Sequence, residues 1–179
     1  MKFLISSISL IFLMAMSKEV VNFNKAYNPD QWKIVNDGVM GGLSSSEVSI
    51  NQEGHLEFKG KVSLENNGGF ASVQHEISID EVKQYTHVKV QLKGDQKNYQ
   101  LRLKSEMSQY QSYVHEFETS GEWEEITLKL SDFYPSFRGR KLDLSNFEFD
   151  QIKQITFLIS NKKAEKFKLE VNCIDLVNL

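Results

Sequence analysis

Residues 86–106, THVKVQLKGDQKNYQLRLKSE, carry the pattern from which the fold is read. Val88, Val90 and Leu92 alternate with Lys89, Gln91 and Lys93. Beyond Gly94 and Asp95 the rhythm returns, with Tyr99, Leu101 and Leu103 against Gln100, Arg102 and Lys104. A period of two sends one set of side chains into a core and the other into water, which marks half-buried strands. A helix would space its apolar residues three and four apart. The same rhythm extends outward. EWEEITLKL (122–130) sets Ile126, Leu128 and Leu130 against Glu125, Thr127 and Lys129, and KFKLEVNCID (166–175) puts Phe167, Leu169, Val171 and Cys173 on one face. Further strands are expected near 20–24, 32–36, 46–51, 54–60, 70–78, 111–118 and 152–160. Turn residues separate them: Gln-Glu-Gly at 52–54, Asn-Asn-Gly-Gly at 66–69 and Ser-Gly at 120–121. Short strands so spaced predict a single all-β domain, an antiparallel sandwich or barrel. Helical turns are expected only around Ile79–Gln84 and Asp143–Phe149.

Composition narrows the class. The 179 residues are 40% hydrophobic and 25% charged, ordinary values for a globular chain able to bury a core without staples. A single cysteine, Cys173, excludes an intramolecular disulfide and a cysteine-rich zinc site. The net charge of −3 gives no electrostatic reason to expect nucleic acid. The opening MKFLISSISLIFLMAMS has one lysine, an apolar run and a small-x-small end at Ala15–Ser17. It reads as a secretory signal peptide over 1–17, with cleavage after Ser17, export of 18–179 and no stable membrane span.

Catalytic motifs are missing. His55, His75, His87 and His115 show no metal-ligand spacing, no G-x-S-x-G elbow is present, and the glycines at 38, 41 and 42 do not match a dinucleotide fingerprint. No catalytic residue, metal ligand or cofactor is therefore expected. Trp32 and Trp123 could stack on sugar rings, although core packing is the plainer reading. The arginines are more informative. They stand only at 102, 138 and 140, and two fall in FRGR, where a planar guanidinium fork suits a carboxylate, a phosphate or a backbone carbonyl.

The remaining question is the loop in WKIVNDGVMGGLSSS (32–46), whose glycines permit positive φ and close approach and whose Asp37 can accept freed amides. This segment, FKGKVSLENNGGFASVQ (58–74), LKGDQKNYQLRLK (92–104) and WEEITLKLSDFYPSFRGR (123–140) together resemble the complex I intermediate-associated protein 30 family in its bacterial form. The resemblance runs in order from Trp32 to about Ile174. It implies a galactose-binding-like jelly-roll β-sandwich over 18–179. It also implies a non-catalytic assembly or chaperone-like role toward a protein partner such as a respiratory-complex subunit. An exported carbohydrate-binding protein is the alternative. In a jelly roll, distant strand ends converge, so Asp37, Gly38, Met40, Gly41, Gly42, Phe70, Asp95, Arg138 and Arg140 are expected to include a recognition surface, with Asp37 paired to Arg138 or Arg140. The competing expectation is a structural clasp.

Overall fold

The computed structural model describes residues 16–23 and 28–179. Two antiparallel sheets pack face to face. The first orders β3 (Ser45–Ile50), β4 (Leu56–Val62), β13 (Glu165–Val177), β6 (His87–Lys93) and β9 (Trp123–Lys129), with β1 (Ser17–Asn22) also on β13. Strands β4 and β1 share one side of β13, at Glu165–Val171 and at Cys173–Val177 respectively. The second sheet orders β11 (Arg140–Lys141), β10 (Tyr134–Phe137), β8 (Ser112–Glu118), β7 (Asn98–Lys104), β12 (Gln151–Ile159), β5 (Ala71–Asp80) and β2 (Trp32–Ile34). Of the consecutive strands, β3–β4, β7–β8 and β10–β11 pair directly. Most other connections cross between sheets, as in a jelly roll. The Gly94–Asp95 turn is such a crossing, since β6 and β7 lie in different sheets.

The alternation places the core where the sequence requires. Phe58, Val90, Leu92 and Leu169 of the first sheet and Leu101, Ile155, Phe157 and Ile159 of the second are fully buried between the layers. Trp32 belongs to this core, stacked on His75 at 5.0 Å and Phe157 at 6.0 Å, which answers its role in favour of packing. Trp123 sits half-exposed on the edge strand β9, with its ring against His55 at 4.4 Å.

Three expectations are corrected. Cys173 does not share the face of Phe167, Leu169 and Val171, because a register shift between Val171 and Cys173 hands the inward positions to Ile174 and Leu176. A bulge of one residue exchanges the two faces of a strand. The turn expected at Ile79–Gln84 shrinks to a 3-10 turn over Val82–Gln84, Ile79 and Asp80 still belonging to β5. Asp143–Phe149 forms no helix. Phe147 donates its N–H to the Phe133 carbonyl at 2.9 Å, and the rings of Phe147 and Phe149 pack on Tyr113 at 5.5 and 5.2 Å. The aromatic anchors hold that segment in an irregular, bent course.

Residues 1–15 of the expected 1–17 leader lie outside the described residues. Ser17 already opens β1, opposite Val177, so cleavage after Ser17 leaves Lys18–Asn22 of that strand.

Candidate functional site

The outer face of the second sheet is the unusual surface. Period two obliges Ser72 and Gln74 of β5, Gln154, Thr156 and Leu158 of β12, and Arg102 and Lys104 of β7 to point away from the core. Register aligns them across strands, with Gln74 opposite Thr156 and Thr156 opposite Arg102. Such residues ordinarily face bulk water, yet Ser72 is 1% exposed, Thr156 5% and Gln154 8%. They are sheltered because loops rise on both sides. From the β2/β5 edge come Met40, Leu64 and Asn67–Phe70; from the β8/β10 side come Tyr110 and the Arg138–Gly139 turn. The result is a groove of about 570 Å³ with a polar floor and mixed walls.

Asp37 holds the first wall. It is 1% exposed, in a 3-10 turn over Asp37–Met40. Its carboxylate accepts from the backbone N–H of Ser44 at 3.0 Å, of Gly69 at 2.6 Å and of Phe70 at 3.2 Å, and from the Ser44 hydroxyl. The Ser44 hydroxyl oxygen in turn accepts the N–H of Ser63 at 2.9 Å. One side chain thus ties the 37–44 loop to the 63–70 loop. Burial is the largest single influence on this carboxyl and opposes ionisation, but the hydrogen bonds together outweigh it and hold the pKa below the ordinary 3.8. The neighbouring glycines follow from this packing. A Cβ on Gly42 would lie 2.4 Å from the Asp37 carboxyl carbon, and one on Gly68 would lie 2.7 Å from its Oδ2.

The opposite wall is a two-residue hairpin. Phe137 pairs with Arg140, and Arg138 and Gly139 between them have φ of 49° and 75°. Two positive φ values are the signature of a type I′ turn, which glycine and asparagine favour and arginine does not. The Arg138 guanidinium lies 5.3 Å from the Phe137 ring centroid, and Phe137 meets the exposed Tyr110 ring edge-on at 5.2 Å. On the floor, Arg102 donates from Nε at 3.0 Å and Nη2 at 2.6 Å to the Gln100 side-chain oxygen, and Lys104 donates to the Gln109 carbonyl at 2.7 Å. Burial draws the pKa of both cations downward.

The sequence-derived site therefore divides. Met40, Phe70 and Arg138 line the groove, and Asp37, Gly41 and Gly42 shape the loop behind its wall, while Gly38 is exposed with open space around its Cα. The expected ion pair is absent: Asp37 is held by Ser44, Gly69 and Phe70, not by Arg138 or Arg140. Arg140 is exposed on β11, outside the groove. Asp95 is a separate clasp, accepting from Lys97 Nζ at 2.6 Å, the Tyr99 hydroxyl at 2.8 Å and the Lys168 N–H at 3.0 Å. Of the floor residues Gln74, Arg102, Lys104, Gln154 and Thr156, sequence marked only Arg102, as one of three arginines, and did not place it in the site. Among the described residues no three His, Cys, Asp or Glu side chains gather to hold a metal ion, and no helix is long and apolar enough to cross a membrane.

Solved structures with this architecture include the family 11 carbohydrate-binding module of the cellulosomal cellulase Lic26A-Cel5E of Clostridium thermocellum. It is 14% identical, with a TM-score of 0.67, covering 92% of this chain and 95% of that one. The family 11 module from Clostridium thermocellum in complex with a β-1,3-1,4-mixed-linked tetrasaccharide is 15% identical, with a TM-score of 0.65, covering 89% and 95%. A single-site mutant of a family 29 carbohydrate-binding module is 9% identical, with a TM-score of 0.55, covering 92% and 87%. At these identities the likeness is one of fold, and it agrees with the jelly-roll arrangement of the two sheets. Sequence adds the kinship that shape alone leaves open: the model of the complex I intermediate-associated protein 30 family matches residues 21–171, and the chain belongs to that family.

Proposed function

We propose that this protein is a non-catalytic binding module that holds a segment of a saccharide chain in the groove on its second sheet. The observation that carries this reading is the sheltered polar floor. Gln74, Gln154 and Thr156 offer neutral donors and acceptors in fixed register, and the Tyr110 ring, 60% exposed, stands at the rim. Hydroxyl-rich ligands need such groups placed beforehand, with an aromatic face to cover the apolar side of a ring. The groove runs over a sheet face, whose backbone groups are engaged in ladders, so recognition falls to side chains; an added peptide strand would require a free sheet edge. The fold shared with carbohydrate-binding modules supports the same reading, as does the export expected from residues 1–17. Isothermal titration with the mixed-linked β-glucan tetrasaccharide and an oligosaccharide panel tests it. Binding abolished by Thr156→Trp, which fills the floor, is expected; binding unaffected by that change contradicts it.

Family membership supports a second reading, an assembly or chaperone-like role toward a respiratory-complex subunit. The structural feature in its favour is the apolar tip of the Asp37 loop, where Val39, Met40 and Leu43 are 73%, 60% and 56% exposed. Exposed apolar side chains gathered on one loop suit a protein partner. Loss of assembled NADH:ubiquinone oxidoreductase on native gels after deletion of this protein, reversed by the parent chain but not by a Val39→Ser, Met40→Ser, Leu43→Ser variant, is the outcome this reading requires.

A further inference from the structure

The groove has a charge of its own. Four cations line it, Arg102, Lys104, Arg138 and Lys162, and no carboxylate does. This occurs in a chain with 24 acidic against 21 basic residues, so the average surface would place both signs there. Two of the three arginines face this one cavity. Among the described residues none of the four cations forms an ion pair with a carboxylate. Arg102 donates from Nε and Nη2 to the neutral Gln100 amide, and Lys104 donates to a backbone carbonyl. Glu116 and Glu76 share this face. Glu116, opposite Gln100, accepts from the Gln100 amide at 2.9 Å and the Tyr134 hydroxyl at 3.3 Å and favours the Arg102 charge from a distance. Glu76, opposite Gln154, pairs with Lys33 Nζ at 3.0 Å. Neither lines the groove, and Glu116 stands against a neighbouring hollow.

Half-burying Arg102 and Lys104 without an ion-paired carboxylate is unfavourable, and a ligand anion offsets that cost by supplying the missing partner in a partly dry site. Arg102 and Lys104 stand two residues apart on one face of β7, about 7 Å along the strand. Arg138 overlooks them from the opposite wall, in a turn position that does not itself call for arginine. Taking the saccharide reading of the groove as its basis, we propose that the ligand is an acidic polysaccharide, one whose sugars carry carboxylate or sulfate groups. The guanidinium fork of Arg138 and the Nη1–Nη2 edge of Arg102, which Gln100 leaves open, receive the acid groups bidentately. The neutral floor side chains receive the hydroxyls.

Titration of the intact protein with paired probes tests this. The pairs are oligogalacturonate against its methyl ester, oligomannuronate against its methyl ester, and a sulfated galactan against its desulfated form. At least one acidic member binds roughly ten-fold more tightly than its neutral partner at low salt, and the gap narrows as salt screens the groove. Arg102→Gln and Arg138→Gln each shrink the preference. Lys129→Gln, an equal change of charge on the other sheet, leaves it intact. Arg138 is on a surface turn, so its variant stays informative if Arg102→Gln fails to fold. Equal affinity within every pair overturns the acidic ligand and leaves the saccharide reading standing. Binding to no glycan removes both. Tighter binding of an oligoglutamate peptide than of any glycan assigns the groove to acidic protein segments and overturns the proposal.

Discussion

Replacing Asp37 by alanine removes the acceptor on which two loops depend. Four hydrogen bonds end on its carboxylate, three from backbone N–H groups, and the residue is 1% exposed. A hydrogen bond to a charged group contributes about 1.5–3 kcal/mol, and a buried donor left without a partner costs about 1–3 kcal/mol. The four bonds share one carboxylate, and water can enter the space vacated, so they do not add. A loss of about 3–5 kcal/mol is expected, comparable to breaking a buried charged pair. For a domain of this size each kcal/mol moves the melting temperature by about 2–4 °C, which predicts a fall of about 6–20 °C. Asp37→Asn recovers less than half, because its NH₂ group faces N–H donors. Urea unfolding at pH 7 measures the difference. The pH dependence follows from the sign of the shift. The folded-state pKa lies below the unfolded value, so the contribution is present above about pH 4 and is lost as the pH falls through the folded pKa. The gap between parent and Asp37→Ala therefore narrows in acid. Because no hydrogen bond or ion pair joins Asp37 to Arg138, Asp37→Ala and Arg138→Ala are expected to be additive in stability. A loss under about 1 kcal/mol for Asp37→Ala, the value for an exposed pair, would refute the reasoning.

The glycines behind the wall separate space from backbone conformation. Gly42→Ala collides with the Asp37 carboxyl and lowers stability by more than about 2 kcal/mol, whereas Gly41→Ala, with φ of 89° and open space around it, costs only the left-handed backbone term of about 1–2 kcal/mol; equal melting curves contradict this. Tyr110→Ala weakens glycan binding by about 1 kcal/mol or more, roughly five-fold, while melting like the parent, as calorimetry and thermal scans together will report. Protein recovered from its native cell begins at Lys18 by intact mass; a chain retaining Met1–Ser17 contradicts export.

Strand positions were legible because each strand has one dry and one wet face, so alternation printed itself on the sequence from Val88 to Leu103. It failed at Cys173, where a single extra residue in β13 exchanged the faces, a backbone event that no side-chain pattern announces. Asp143–Phe149 was misread for a related reason, since contacts with Tyr113 and Phe133 override a local preference. The loop around Asp37 was recognisable as built for close approach, and the need for glycine at 42 followed from it. Its partner was not, because Asp37 is held by amides of Gly69 and Phe70, which carry no chemical label. The groove floor was hidden most completely. Gln74, Gln154 and Thr156 occupy wet positions, where polar residues are unremarked, and only the walls make them sheltered. Arg102 carried one usable signal, an arginine on a polar strand face in a chain that otherwise uses lysine.

Chemical-shift mapping of the ¹⁵N-labelled protein during titration with the oligosaccharide that binds best locates the glycan site on the protein surface. Perturbed amides and side chains are expected at Gln74, Arg102, Tyr110, Gln154, Thr156 and the Arg138–Gly139 turn, across the floor of the groove and the wall that rises from β8 and β10. Perturbation confined to the first sheet, around Trp123 and His55, or the absence of any glycan-dependent shift, would contradict the proposed site.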